Sequence, residues 1–294
     1  MFKQIPNRSK GILAFVFLAA LYAGTGVVTR NLSHYFTIFQ QTYLRTLIAF
    51  ILGIFFFRKK LHLEKIKKIS LSEWLLLTGR SAAMFVFGAT LWVKATTITK
   101  LANVTFLDAL PITATLSFLF LGEKATLKKI FYLAMSFLGV IILSVKDYSS
   151  LSSFGYGEFL VAVSGFFFAF RNISRKWHSK LLNDQEITQL MFIFGILMLF
   201  TSSLIFGETF IMPKWNWEII ILLFIGGFIM AANLFLTNFG FAHLSAVLGN
   251  NILNLEAVFG ILFGFLFFGE ISSIKELLGG ILIVTSVVKM NQLK

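Results

Sequence analysis

The chain has 294 residues, of which 57% are hydrophobic and only 13% are charged, and its mean hydropathy is +0.84. A soluble domain cannot cover that much apolar surface, so the composition excludes a water-soluble globular protein. The net charge of +13 would suggest a nucleic-acid partner in a soluble chain. Here the basic residues lie between apolar runs, where they set orientation in a membrane. The chain contains no cysteine, which excludes disulfides and thiolate metal sites.

Ten apolar runs follow one another along the chain, each about as long as a helix that crosses a hydrocarbon core of roughly 30 Å. The first run follows a basic start, as in a secretory signal, but the nine further runs favour a retained helix. The fold class is predicted as an all-α integral membrane protein with ten transmembrane helices. These are predicted at residues 11–29, 37–57, 74–93, 101–121, 128–145, 155–176, 187–206, 216–239, 244–268 and 274–290.

Lysine and arginine are distributed unevenly between the two sides of these spans. With the N-terminus inside, 17 fall on the cytoplasmic side and six on the opposite side: Arg30, Lys94, Lys100, Lys146, Lys214 and Lys275. Because basic loops stay in the cytoplasm, both chain ends are expected there. The basic loop from 58 to 73 is expected to meet anionic membrane lipid on the same side.

The stretch from 95 to 123 returns as 242 to 270 at a constant offset and without a gap. Both copies end in Gly-Glu, at Gly122-Glu123 and at Gly269-Glu270. The chain is therefore predicted to consist of two five-helix repeats, residues 1–147 and 148–294. Because five is odd, the second repeat must insert upside down relative to the first, as in many transporters.

Five charged residues lie within the apolar spans, namely Arg45, Arg80, Asp108, Arg171 and Glu256. A charge there costs several kcal/mol unless it is paired or reaches water. Arg80 and Arg171 lie about six residues from the cytoplasmic ends, within reach of snorkelling, so a structural role competes with a functional one. Arg45, Asp108 and Glu256 lie deeper and are expected to be functional. The alternative is an arginine–carboxylate pair that only locks helices together.

Two polar patterns mark the repeated fourth span. In the first copy, Thr105, Asp108, Pro111 and Thr115 fall within about a third of the helical wheel. Pro111 removes a backbone donor and frees a carbonyl one turn earlier. Either a cavity or a neighbouring hydroxyl satisfies that carbonyl, or Pro111 is an ordinary kink of a membrane helix.

In the second copy, Asn250 and Asn254 share one face of a continuous helix and Glu256 points nearly opposite. Gly260 and Gly264 form a GxxxG pattern near Glu256, which indicates close helix packing. Glu256 is then either an interhelical hydrogen-bonding group or a protonatable carboxyl that serves proton coupling. The sequence leaves both alternatives open.

The motifs of both halves suggest a family. Leu121-Gly122-Glu123 and Phe268-Gly269-Glu270 end the fourth span of each half, and Tyr43-Leu44-Arg45 lies near the middle of the second span. With ten spans arranged as five plus five, the whole chain resembles the EamA-type transporters of the drug/metabolite transporter superfamily. The resemblance implies alternating access in the bacterial inner membrane. It also implies a central cavity between the repeats, with walls from spans 1, 3, 4, 6, 8 and 9.

The chain departs from that family pattern at two positions of the fourth span. The proline often present in both copies is Pro111 in the first and Val258 in the second, and Asp108 corresponds to Leu255. The two halves of the expected cavity are therefore chemically unequal.

Three arginines against two carboxylates within the spans favour a substrate that bears a carboxylate or a phosphate. Asp108 or Glu256 would meet an amino group or a proton, so an amino acid or a derivative such as S-adenosylmethionine fits both charges. The alternatives are a nucleotide-type or other anionic metabolite, or a non-transporting scaffold or lipid-binding protein. Glu256 is the candidate for proton coupling. The candidate substrate-binding residues are Arg45, Arg80, Thr105, Asp108, Thr115, Arg171, Asn250 and Asn254.

The sequence contains no motif for other kinds of chemistry. There is no P-loop and no Gly-rich nucleotide fingerprint, which disfavours an ATP-driven pump. The four histidines of the chain are scattered near span ends: His34, His62, His178 and His243. We therefore expect no metal site, no cofactor, no nucleic-acid partner and no enzymatic activity. The sequence leaves the coupling ion and the oligomeric state open.

Overall fold

The computed structural model describes residues 7–144, 155–268, 271 and 273–293, and the regular secondary structure within these ranges is helical. The all-α prediction is therefore confirmed for the described part of the chain. Some residues counted or named in the sequence analysis lie outside the described residues: Lys3, Lys146, Gly269, Glu270 and Lys294.

Seven α-helices occupy the described residues of the first half of the chain. They are α1 (Asn7–Leu32), α2 (Ile38–Phe57), α3 (Leu71–Ser81), α4 (Thr90–Ile98), α5 (Leu101–Asp108), α6 (Ile112–Phe120) and α7 (Leu127–Ser144). A π-helical segment, Ala82–Ala89, joins α3 to α4. The basic loop forms two short 3₁₀ turns, Arg58–Lys60 and Leu63–Lys68.

In the second half, the part that the structure describes contains six α-helices. They are α8 (Tyr156–Ser174), α9 (Asp184–Ile205), α10 (Trp217–His243), α11 (Ala246–Leu253), α12 (Leu255–Phe268) and α13 (Ile274–Asn291). Asn183 and Ser273 begin α9 and α13 as N-caps, each with a glutamate three residues later that completes a capping box. These caps satisfy the amides that a helix leaves free at its start.

Among the described residues, seven helical stretches are long and apolar enough to cross a membrane. They are Asn7–Leu32, Ile38–Lys60, Leu71–Ile98, Asn103–Phe120, Asp184–Ile205, Trp217–His243 and Ala246–Leu266. The three remaining predicted spans, 128–145, 155–176 and 274–290, coincide with α7, α8 and α13. The chain is therefore a multi-pass membrane protein by composition and by structure.

Both copies of the fourth span are interrupted, although each was predicted as one continuous helix. In the first copy, α5 ends at Asp108 and α6 begins at Ile112. Pro111 lacks an N–H and disfavours the helical conformation of the preceding residue, which accounts for this break. In the second copy α11 ends at Leu253 and α12 begins at Leu255. No proline lies there, and the turn residue Asn254 instead donates from Nδ2 to Ser136 Oγ on α7, 2.9 Å away.

The last described helices of the two halves, α7 and α13, pack against each other at two glycines. A Cβ built on Gly139 would lie 2.7 Å from the carbonyl oxygen of Gly279, and one built on Gly279 would lie 2.7 Å from that of Gly139. The missing side chains are therefore what allows this approach of two backbones. The expected packing at Gly260 is wrong, because no atom lies within 4 Å of its Cβ position. The GxxxG spacing is present in the sequence, but Gly260 lies exposed on the outer face of α12.

Candidate functional site

A cavity of about 170 Å³ lies where the two interrupted helices meet. All six expected spans contribute to its wall, and α2 and α7 add Arg45 and Val140. The volume is small beside the roughly 300–1,000 Å³ of pockets that hold drug-sized ligands. The polar lining residues are Tyr22, Thr25, Arg45, Trp92, Thr105, Asp108, Thr113, Arg171, Asn172, Asn233, Asn250, Asn254 and Glu256.

Asp108 is the last residue of α5, at the first helix break. Its Oδ2 accepts a hydrogen bond of 2.8 Å from the indole Nε1 of Trp92. The residue is exposed on the cavity wall, so its charge is available to a molecule inside. Thr105, one turn earlier on α5, also lines the cavity.

The predicted continuation of this polar face to Thr115 is wrong. Its side chain is exposed and does not line the cavity, and its hydroxyl donates to the carbonyl oxygen of Pro111, 2.9 Å away. The wheel argument assumed an unbroken helix, and the break at 109–111 rotates α6 relative to α5. The polar residue that α6 presents to the cavity is Thr113.

Arg45 reaches the cavity from α2 and is only 4% exposed. Its Nη1 donates to Thr29 Oγ1 at 2.9 Å and its Nε donates to the carbonyl oxygen of Gln41 at 3.3 Å. Its methylenes pack in the space that Gly226 leaves by having no side chain. Among the described residues no ion pair joins Arg45 to Asp108. The guanidinium therefore meets neutral oxygens in this conformation.

Arg171 projects from α8 into the cavity and is 3% exposed. Its Nε and Nη2 donate to Asn172 Oδ1 at 3.1 and 2.6 Å, and its Nη1 lies 3.0 Å from Met84 Sδ. The guanidinium carbon lies 5.6 Å from the centre of the Phe168 ring, a cation–π distance. Like Arg45, Arg171 is a buried cation held by uncharged partners.

Arg80 lies behind this wall and does not line the cavity. It is fully buried, and its Nε and Nη2 donate to the carbonyl oxygen of Arg171 at 3.2 and 3.1 Å. Nη2 also donates to Asn238 Oδ1 at 2.7 Å. Neither Arg80 nor Arg171 snorkels to the surface, because protein encloses both guanidinium groups. Arg80 thus holds the backbone from which Arg171 projects.

The second helix break resolves the geometry of Glu256. On a continuous helix Glu256 would point away from Asn250 and Asn254, but all three line the cavity. The turn at Asn254 separates the two half-helices, so Asn250 on α11 and Glu256 on α12 face the same space. The prediction of opposite faces is therefore wrong. Broken helices at the centre of a membrane are tolerated where they line such a cavity.

A search for charged residues alone missed part of the lining. Tyr22 on α1 donates from its hydroxyl to Asn233 Oδ1 on α10, 2.8 Å away. Asn172 donates from Nδ2 to Thr113 Oγ1 at 3.2 Å. These residues are uncharged, but an amide inside an apolar span also needs a partner. Asparagines in the predicted spans were therefore the available signal.

No group of three or more metal-ligating side chains occurs among the residues that the structure describes. Among the described residues, the charged groups that line the cavity are two arginines and two carboxylates on different helices. The arrangement is suited to holding a small molecule that carries opposite charges, since each pole has an ionic group and neutral donors beside it.

Comparisons with known proteins agree with this architecture. The model of a family described as "EamA-like transporter family" matches residues 9–145 and, a second time, residues 155–292. A solved structure titled only "Crystal structure of protein" is similar in fold, with a TM-score of 0.74 at 14% identity. The match covers 96% of this chain and 97% of that one. No curated protein matches the chain.

Proposed function

The chain belongs to the EamA-like transporter family, and from that premise we propose that it is a secondary active transporter. It carries a small polar metabolite across the bacterial inner membrane by alternating access. The observation that carries this proposal is the cavity at the two helix breaks, where Arg45, Arg171, Asp108 and Glu256 project into one space.

The substrate that best fits these four groups is an amino acid or an amino-acid derivative such as S-adenosylmethionine. Arg45 or Arg171 binds its carboxylate with a planar two-pronged donor. Asp108 binds its cationic group, beside the indole of Trp92. The cavity volume of about 170 Å³ favours the smaller members of this class in the present conformation.

A second candidate is a transporter of nucleotide-type or other anionic metabolites. It is favoured by one observation, that Arg45 and Arg171 both have neutral hydrogen-bond partners among the described residues. Two cations without an ion pair among the described residues suit a dianion such as a phosphate. Asp108 argues against it, because a carboxylate on the same wall repels an anion.

We group the described helices into ten membrane spans, with α3–α4, α5–α6 and α11–α12 each forming one span. The two halves are then inverted repeats. Supporting this, Gly11 at the start of α1 lies against Leu244 at the α10–α11 junction, and Gly157 at the start of α8 lies against Thr99 at the α4–α5 junction. These are equivalent contacts at opposite ends of the bundle, as an inverted repeat requires.

Both chain ends lie in the cytoplasm in this proposal. The 17-to-6 basic asymmetry of the connecting segments supports that orientation. The basic loop is then cytoplasmic and faces lipid headgroups, and its position is fixed by Glu186, whose carboxylate accepts from Lys65 Nζ and from the His62 backbone, each at 3.0 Å.

Glu256 is the proposed site of proton coupling. It lies on the first turn of α12 and faces the same cavity as Asp108. Two carboxyl groups in one enclosed space repel each other when both are ionised, so one of them takes up a proton readily. A substrate with a cationic group would compete with that proton, which is how the two fluxes are coupled.

The test is a thermal-shift screen of the purified chain against single amino acids, S-adenosylmethionine and nucleotides. A ligand that binds the folded form raises the apparent Tm by mass action. We expect a shift with an amino acid or derivative, and a smaller shift for the same ligand with Arg171→Lys. A shift with nucleotides alone would favour the second candidate. No shift with any of these compounds would contradict the proposed substrate class.

A further inference from the structure

The repeated Leu121-Gly122-Glu123 ending does not line the cavity, but its conformation is specific. α6 ends at Phe120, and Gly122 has φ +64°, in the left-handed region that favours glycine after a helix. The turn directs Glu123 away from its own repeat. Its backbone N–H lies 3.4 Å from the carbonyl oxygen of Ser117.

The Glu123 carboxylate binds the start of α11, which belongs to the other repeat. Its Oε1 accepts from the backbone N–H of Ala246 at 2.8 Å, and its Oε2 accepts from that of Val247 at 3.4 Å. The next amide, Leu248, is bonded to the Oγ of the N-cap Ser245 at 3.2 Å. Ala246 and Val247 are buried, so their amides are shielded from water in this conformation and Glu123 supplies the acceptors that they need.

The helix that Glu123 holds carries part of the cavity wall. α11 is only eight residues long and is separated from α12 by the break at Asn254. It presents Asn250 to the cavity, and Asn254 follows at its end. α11 is packed into the core over most of its length, and the Glu123 carboxylate adds a polar anchor at its N-terminus, the end where it meets the ending of α6.

We propose that Glu123 is a positioning residue of the transport cycle, whose carboxylate ties α11 to α6 and holds the cytoplasmic end of the cavity closed. The tie is released when the cavity opens to the cytoplasm. This inference rests on the proposed transport function and on the proposed orientation, which places both partners at the cytoplasmic end.

Geometry favours a releasable contact over a permanent lock. α6 and α11 belong to different repeats, and alternating access moves one repeat against the other. The bonds that cross between them at one end must therefore break when that end opens. A carboxylate at a helix N-terminus interacts favourably with the helix dipole. In the open form water replaces the carboxylate at these amides, so breaking the contact costs little free energy.

The absence of cysteine in the chain allows a direct test. Ala109→Cys places one small thiol in the cavity wall at the first helix break. Its reaction with a membrane-impermeant maleimide is measured separately from the cytoplasmic and the outer side, in vesicles of both orientations. Glu123→Gln, in the same background, keeps the side-chain size and removes the charge. We expect cytoplasmic labelling to rise about two- to fivefold and outer labelling to fall.

Glu64→Gln is the matched control, since it removes a carboxylate from an exposed position on the cytoplasmic loop and is expected to change neither rate. A purely structural role of Glu123 would alter both rates in the same direction or neither, and either result overturns the proposal. If Glu123→Gln does not accumulate in the membrane, Glu123→Asp is measured with the same outcomes, because it withdraws the carboxylate by one methylene.

The labelling test needs no knowledge of the substrate. Unchanged labelling in a chain that transports would overturn the role of Glu123 alone. Absence of transport by the wild-type chain would instead contradict the proposed function. The two failures are therefore distinguishable.

Discussion

The indole Nε1 of Trp92 donates a hydrogen bond of 2.8 Å to Oδ2 of Asp108, and both residues line the central cavity. Trp92 lies on α4 and Asp108 on α5, so the bond joins the third and fourth spans of one repeat. A neutral donor therefore orients the carboxylate, and no ion pair involves it among the described residues. Asp108 is therefore bonded to Trp92 and not to Arg45, the cation that lies at a similar depth in the predicted spans.

Asp108→Asn is expected to reduce transport by at least about tenfold, since a loss of only ~1.4 kcal/mol of binding suffices for that factor. The asparagine keeps the side-chain size and an acceptor for Trp92, so folding should be retained. Initial uptake rates and Tm are measured together. Glu64→Gln, which alters an exposed carboxylate of the basic loop, is the control. Normal transport by Asp108→Asn would remove it from the site.

Arg45 and Asp108 are expected to act independently in folding. No ion pair joins them among the described residues, so the destabilisation by Arg45→Ala and by Asp108→Ala should add within about 0.5 kcal/mol. Unfolding of both single variants and of the double variant in detergent gives the coupling. A favourable coupling well above ~1 kcal/mol would show that the two residues pair, and that Arg45 is not free to bind a substrate anion.

Two neighbouring glycines of α13 are expected to respond oppositely to alanine. At Gly279 the new Cβ would meet the backbone oxygen of Gly139 at 2.7 Å, whereas at Gly280 nothing lies within 4 Å. Gly279→Ala should destabilise the chain by about 1–3 kcal/mol through overpacking. Gly280→Ala should be neutral or stabilising by up to about 1 kcal/mol through helix propensity. Equal Tm values for the two variants would contradict the observed α7–α13 packing.

Stability is expected to fall as the pH drops below about 6.5. Burial, aided by the positive charge of Arg80, lowers the pKa of His178 from 6.5 to about 4. His178 Nδ1 lies 2.5 Å from Glu73 Oε1, and its buried Nε2 has no partner among the described residues. A second proton on the imidazole, at Nε2, would therefore have no hydrogen-bond acceptor among the described residues.

Because the folded-state pKa of His178 lies below the unfolded one, the unfolded chain binds more protons between pH 6.5 and 4. Destabilisation from this residue begins near pH 6.5 and grows until about pH 4. The measurement is Tm against pH for the wild-type chain and for His178→Gln, which should show a shallower decline. Identical pH profiles would exclude His178 as the cause.

Orientation is expected to follow the basic asymmetry. Single cysteines introduced as Lys67→Cys and Lys214→Cys, both into this cysteine-free chain, should react with an impermeant maleimide from the cytoplasmic and the outer side respectively. Both positions are in connecting segments, so folding should not change. Reaction of both cysteines from the same side of the membrane would overturn the ten-span model.

The sequence was informative where the signal is local or repeated. The apolar runs predicted the helices, and the shared Gly-Glu endings at Glu123 and Glu270 predicted the two halves. The energetic cost of a charge inside the membrane selected five residues, and all of them except Arg80 line the cavity.

What could not be predicted depends on contacts between distant parts of the chain. The break at Asn254 has no proline beside it, and its side chain is bonded to Ser136 on another helix. Wheel arguments across both breaks therefore failed for Thr115 and for Glu256. Arg80 lies behind the cavity wall and Arg171 lines it, and no periodicity of the sequence distinguishes the two positions.

The central claim is transport of a small zwitterionic metabolite through the cavity at the two helix breaks, and uptake into reconstituted vesicles tests it most directly. Vesicles preloaded with unlabelled amino acids or with S-adenosylmethionine receive the same compound in labelled form outside, with empty vesicles as background. We expect exchange of at least one of these probes by the wild-type chain, reduced about tenfold or more in vesicles that contain Asp108→Asn at equal protein content. Uptake at background for every probe, or equal exchange by both proteins, would contradict the account.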